Sequence, residues 1–141
     1  MTGKSLLSLS AAVLLTLWAV APLAAQAPKA LGTARIPAVM ANGQALPAGT
    51  YTVRLSTDPV TPVVGQGPDA ARWVEFVQAG QVKGKELASV VSPADVKAVA
   101  KRTPPAAGAA MVQALNGSDY VRVWLNSAGT QYLVHLTRAA K

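Results

Sequence analysis

The sequence predicts a mainly β domain, an antiparallel β-sandwich or small barrel of about seven strands with one short helix. Three observations support this fold class. Short segments alternate apolar and polar side chains with a period of two, turn dipeptides such as Asn42-Gly43 separate them, and one segment has the start signals of a helix. The predicted strands cover residues 34–40, 51–56, 73–77, 82–91, 109–115, 120–125 and 130–137.

The clearest single strand is residues 51–56, where apolar side chains occupy every second position. Two features flank it on the amino-terminal side. Pro37 cannot donate a ladder hydrogen bond, which favours a sheet edge or a strand end for the first predicted strand. Pro47 and Gly49 mark a tight turn directly before residues 51–56.

The one helix is predicted at residues 93–102. Ser92 is suited to cap its first turn, Pro93 fits the first helical position, and Asp95 is placed to return to the N–H of the cap residue. A pair of prolines after residue 103 then ends the helix.

The best-defined strand pair closes the chain, with residues 120–125 and 130–137 joined by a four-residue loop. Pairing Leu125 with Thr130 gives two consistent faces, of which the aliphatic one is predicted to face the core. The second face carries aromatic and arginine side chains, which are frequent in binding hot spots. We expect this face to be a binding surface; the alternative is that the helix or a second sheet covers it. Its residues are Tyr120, Arg122, Trp124, Leu133 and His135.

The amino terminus has the three parts of a secretion signal, namely Lys4, an apolar stretch at residues 6–20 and small residues around Ala25. Cleavage after Ala25 leaves a lead-in at residues 26–33 and one domain at residues 34–141. The predicted location is therefore the periplasm or the extracellular space.

A retained membrane anchor is the alternative, because residues 6–25 just reach the roughly 20 apolar residues that a spanning helix needs. Pro22 and the small residues that follow favour cleavage, after which no membrane span is expected. No cysteine follows the apolar stretch, which excludes a lipoprotein.

Composition narrows the chemistry. The absence of cysteine excludes disulfides, thiol catalysis and iron–sulfur clusters. Without Lys4 the chain has 12 basic and 6 acidic residues, a net charge of +6. The basic residues are scattered rather than clustered in a run, so we expect no nucleic-acid partner. An anionic envelope polymer, a glycan or a protein is the expected partner; the alternative is that the charge serves solubility alone.

Residues 42–53, with the sequence NGQALPAGTYTV, carry a resemblance to known proteins. The segment resembles the hairpin-and-strand signature of small exported bacterial β-sandwich proteins, including prealbumin-like and carboxypeptidase-regulatory-like domains. It is also similar to uncharacterised exported proteins of Acidobacteria. Asn42, Gly43, Pro47 and Gly49 form the turns of this segment and are expected to have structural roles. The resemblance implies that Tyr51 packs at a corner and that its hydroxyl bonds upstream backbone.

Few residues are available for catalysis. His135 is the single histidine, and the six carboxylates are spread along the chain, so we expect no catalytic site, no cofactor and no metal site. A hydrolase would require His135 to meet a serine such as Ser118 and a carboxylate. A glycosidase would require Glu75 and Glu86 to face each other across their hairpin.

Three hypotheses follow. The first is a non-catalytic exported domain that binds an envelope or extracellular polymer or protein. The second is a structural envelope component that forms homo-oligomers through sheet edges. The third and weakest is a small hydrolase.

Overall fold

The computed structural model of the protein describes residues 28–140, and the predicted secretion signal and its cleavage site lie outside them. The described part is mainly β with one short helix, which confirms the predicted fold class. The elements are β1 (Ala30–Ile36), β2 (Val39–Ala41), β3 (Gln44–Leu46), β4 (Gly49–Leu55), β5 (Ala71–Gln78), β6 (Gln81–Val91), α1 (Val96–Ala100), β7 (Ala110–Leu115), β8 (Tyr120–Ser127) and β9 (Thr130–Arg138).

All seven predicted strands are present, and two more bring the number in the described residues to nine. The first predicted strand is split at Pro37 into β1 and β2, because proline cannot continue the ladder. β3 is a short strand after the Asn42-Gly43 turn. β1 begins at Ala30, inside the predicted lead-in, because Leu31 is buried in the core.

The strands form one antiparallel sheet that curls into a nearly closed barrel. Its order is β1-β4-β5-β6-β9, continued from β9 by β8 and then β7. The two ends of the sheet approach each other at Gly32. A Cβ atom there would lie 3.3 Å from the carbonyl oxygen of Gly108 and 3.3 Å from Cδ2 of Leu125. Glycine therefore permits the close approach of β1 to the start of β7.

The core fills the inside of this barrel with side chains from alternate strand positions. Tyr51 and Phe76 meet there edge to face, with ring centroids 6.3 Å apart. Burying one such side chain stabilises the fold by about 1.5–3 kcal/mol. The largest fully buried side chains inside the barrel include Tyr51, Phe76, Leu46, Leu125 and Leu136.

Three hairpins close through two-residue turns in which both residues have positive φ. Asn42-Gly43 (φ 44° and 80°) confirms the predicted turn, and Ala79-Gly80 and Ala128-Gly129 share its geometry. This mirror-image turn matches the twist of the strands that it joins.

The last of these turns corrects the predicted register of the final hairpin. Ser127 pairs with Thr130, so the connection has two residues rather than four, and Leu125 pairs with Tyr132 instead of Thr130. The prediction was wrong by two positions. Because side chains alternate with a period of two, each residue nevertheless lies on the predicted face.

The β2–β3 hairpin packs against β9 and β6. β2 pairs with β9, and the hairpin rests on β6 at Gly84, where a Cβ atom would lie 3.0 Å from Cδ2 of Leu46. Two residues along β6, Glu86 accepts a hydrogen bond of 2.6 Å from the N–H of Asn42 at the hairpin tip. β6 therefore holds the hairpin at its base and at its tip.

The helix is shorter than predicted. α1 has five residues and follows a turn in which Ser92 donates to the Asp95 carboxylate (2.6 Å) and accepts from the Asp95 N–H (3.3 Å). This local pairing competes with helix formation and replaces the predicted return of Asp95 to the cap. Pro93, which was predicted to be the first helical residue, therefore lies in the turn before α1. Val96 is the helix side chain that is buried in the core.

Lys101 ends α1 in a left-handed conformation, with φ 49° and ψ 17°. Within residues 28–140 no helix is long and apolar enough to cross a membrane.

Candidate functional site

The predicted binding surface on β8 and β9 is divided by α1. Trp124 is 0% exposed and Leu133 is 3% exposed, and both pack in a small cluster with Val96 of the helix. Trp124 Nε1 also donates a buried hydrogen bond of 2.6 Å to Gln131 Oε1. The helix therefore covers the centre of the predicted surface, and Trp124 and Leu133 serve the core rather than a contact with a ligand.

The exposed remainder consists of Tyr120, Arg122 and His135. Arg122 Nε donates to His135 Nε2 across 3.1 Å, which requires that this ring nitrogen be unprotonated. Partial burial, followed by the nearby Arg122 guanidinium, lowers the pKa of His135. The site is thus a small polar patch with one fixed positive charge at neutral pH.

This pairing also bears on the hydrolase hypothesis. His135 lies directly across from Arg122 in the sheet, and not from Tyr120 as predicted. Among the side-chain hydrogen bonds of the described residues, none joins His135 to Ser118 or Asp119. The Nε2 atom that a general base would use already accepts a hydrogen bond from Arg122.

Glu75 and Glu86 do not face each other. A bulge near Phe76 shifts the β5–β6 register, so Glu75 lies opposite Lys85 and Glu86 lies opposite Val74. The two carboxylates therefore point to opposite sides of the sheet, which corrects the expectation that they could meet. Glu75 binds Arg54 at 2.7 Å. Across residues 28–140, no three acidic or histidine side chains cluster as metal ligands.

A second aromatic surface, which the sequence reasoning did not single out, lies on the outer side of β5 and β6. Trp73 is half-buried opposite Leu87, which is 40% exposed. Lys85 Nζ lies 4.9 Å from the centroid of the Trp73 ring. It also donates a hydrogen bond to the Asp58 carboxylate, and this bond lowers the pKa of Asp58. The alternation of β5 could have predicted this surface. Trp73 and Glu75 lie on one side of the strand, and buried Val74 lies on the other.

The third candidate is a shallow groove at the carboxyl end of α1, lined by Lys97, Lys101, Arg102, Thr103 and Pro104. The three cations are exposed. Asp95, the acid nearest in sequence, is engaged by Ser92. The ion pairs within residues 28–140 are Arg54–Glu75, Arg72–Asp69 and Lys85–Asp58, so none involves this groove. In the sequence, Lys97 and Lys101 have the spacing of solvent-facing helix positions, and their convergence with Arg102 was not predicted.

The segment at residues 42–53 makes the local contact that its resemblance implies. The Tyr51 hydroxyl donates to the carbonyl oxygen of Pro47 across 2.6 Å, and burial raises the pKa of Tyr51. The family relationship itself stays a prediction. Comparisons of the chain with protein-family models, curated proteins and solved structures find no match.

Proposed function

We propose that this chain is a non-catalytic, exported β-domain that binds an anionic polymer or protein of the cell envelope or the extracellular space. The observation that carries the proposal is the imbalance of charge on the surface. Residues 28–140 contain 11 lysines and arginines and 6 carboxylates. Three of the cations form ion pairs, which leaves eight without a carboxylate partner.

The three carboxylates outside these ion pairs reduce the excess, and residues 28–140 keep a net charge of +5. Glu86 accepts from the backbone of the β2–β3 hairpin, and Asp95 is held by Ser92. A surface with uncompensated cations attracts polyanions and raises their association rate, an effect that falls with ionic strength.

The absence of catalysis remains part of the proposal. It is supported by the occupied Nε2 atom of His135 and by the separation of Glu75 from Glu86. His135 is not paired with a nucleophile that it could activate as a base. Glu75 and Glu86 do not flank a common position, as the two carboxylates of a glycosidase do.

Titration of the mature chain with anionic and neutral polymers tests the proposal. We expect binding to polyphosphate or polygalacturonate at about 50 mM salt that weakens at least tenfold by about 300 mM, because exposed charges are screened. Neutral dextran is the control. A mature chain that binds no polyanion at low salt contradicts the proposed function.

Self-association through a sheet edge is a second candidate, favoured by the composition of β7. This strand pairs with β8 on one side, contains neither proline nor a charged residue, and exposes 36% of Val112. Natural edge strands usually carry such protective residues. A dimer that grows with concentration in sedimentation, and that is lost in Ala114→Lys, would support this candidate.

A further inference from the structure

We infer that the groove at the carboxyl end of α1 binds a phosphate group of an anionic polymer, through Lys97, Lys101, Arg102 and the Thr103 hydroxyl. The inference rests on the proposed function and names its principal site.

The first argument is the convergence of three like charges. Lys97 lies in α1, Lys101 is its left-handed end residue, and both line the same groove as Arg102. Like charges held near one another repel. No carboxylate of the described residues pairs with them. A bound anion would convert this repulsion into attraction.

The second argument is the backbone of Lys101. Helices often end in a left-handed residue, but that residue is usually glycine, because a side chain there costs roughly 1–2 kcal/mol. The other non-glycine residues with positive φ among residues 28–140 lie in turns between strands: Asn42, Ala79, Ser118 and Ala128. Lys101 is thus a strained helix end that keeps a cation in the groove where glycine would fit better. Strain of this kind is typical of functional positions.

The dipole of the helix opposes an anion at this end, but its effect is small. A full macrodipole amounts to about half a negative charge, and α1 has only five residues. The three side chains supply about six times that charge with the opposite sign.

The donor set matches phosphate better than a carboxylate. Arginine presents two parallel N–H groups to two phosphate oxygens, and each of these oxygens can accept a further hydrogen bond from an ammonium group or a hydroxyl. The oxygens of a phosphate are arranged tetrahedrally, so donors from several side chains can approach from different directions, whereas the two oxygens of a carboxylate lie in one plane. A lipid surface is the less suitable source of phosphate, because Val99 is the one large apolar side chain of the helix that is exposed, at 50%. Insertion into a bilayer interface requires a wider apolar face.

The test measures the affinity of the mature chain for inorganic polyphosphate at low salt by calorimetry. We expect Lys101→Gly and Lys97→Gln to weaken binding about fivefold each, equivalent to about 1 kcal/mol. Lys29→Gln is the matched control, because Lys29 is exposed, forms no ion pair and lies outside the groove. It should change the affinity less than twofold. Lys101→Arg should retain binding, and Lys101→Gly should keep or raise the unfolding temperature because the strain is removed.

Each other outcome overturns a different statement. Equal losses in Lys101→Gly and Lys29→Gln would show delocalised binding, so the groove would fail while the proposed function stands. Equal affinity for polyglutamate of matched length would overturn the preference for phosphate. Binding to phosphatidylglycerol vesicles but not to polyphosphate would reassign the groove to lipid. No binding to any polyanion would remove the proposed function itself.

Discussion

Two tryptophans lie on the outer side of the same barrel and differ in burial. Trp124 is fully buried beneath α1 and bonds to Gln131, whereas Trp73 is half-buried with Lys85 above its ring. Their strands alternate in the same way, so strand periodicity does not distinguish them. The difference shows that a short segment crossing the sheet can convert part of its outer face into a second core. The other part, where Lys85 lies above Trp73, stays half-buried.

The largest test of this contrast compares alanine at the two positions. Trp124→Ala should destabilise the fold by about 3–5 kcal/mol, because it leaves a cavity and an unpaired glutamine. Trp73→Ala should cost about 1 kcal/mol, the loss of partial burial and of the Lys85 contact. Urea unfolding of the mature chain measures both. If Trp124→Ala does not fold, Trp124→Phe and Trp73→Phe give the same comparison. Equal effects would contradict it.

The next test lifts the helix from Trp124. Val96→Asp places a charge in the buried cluster, and we expect a loss of about 2–4 kcal/mol and a red shift in tryptophan emission. Val99→Asp is the matched control, since Val99 lies on the same helix but is 50% exposed. It should change the unfolding free energy by less than about 0.5 kcal/mol. Helix docking would play no part in burying Trp124 if the emission of Val96→Asp stayed unshifted.

A smaller difference in unfolding free energy is expected between variants of Gln131, the partner of Trp124, and of Lys85, the partner of Trp73. Gln131→Leu removes the acceptor of the Trp124 N–H and should cost about 1–3 kcal/mol, because a buried donor is left unpaired. Lys85→Met keeps the length of the side chain above Trp73 but removes its charge, and should cost about 1 kcal/mol or less. Urea unfolding decides the order of the two values. The reverse order would assign the greater stabilisation to the exposed site.

The smallest effect concerns the part of the β8–β9 face that α1 leaves open. The pKa of His135 is lowered in the folded chain, so the unfolded chain binds more protons near pH 6. Stability should therefore fall as the pH drops below about 6.5, the unfolded value, and level off below the folded pKa. In His135→Gln this fall should be shallower. Unfolding curves between pH 7.5 and 5.5 provide the comparison, and identical slopes would contradict the expected role of His135.

Much of the fold could be predicted because local chemistry determines it. The Asn42-Gly43 dipeptide predicted the turn between β2 and β3. The resemblance of residues 42–53 to known proteins implied the hydrogen bond of the Tyr51 hydroxyl. The register of the final hairpin could not be read correctly, because Ala128 adopts a positive φ that alanine rarely takes and so gives no turn signal.

The candidate site was harder to predict because it depends on contacts distant in sequence. Alternation placed Trp124 on the outer face correctly, but the docking of Val96 onto it follows from the path of the chain through space. The bulge that separates Glu75 from Glu86 had one visible signal. Gly84 interrupts an otherwise regular strand, and a glycine there often marks a bulge or a close approach of another segment.

Gly84 also bears on strand pairing with other molecules. The hairpin resting on Gly84 covers backbone groups of β9 that would otherwise be open to pairing with another molecule. A single methyl group at position 84 would lie 3.0 Å from the end of the Leu46 side chain, which would have to move by a few tenths of an ångström. The close seating of the hairpin beside β9 therefore depends in part on a missing side chain on β6, and this seating should limit strand pairing with other molecules at the carboxyl end of β9.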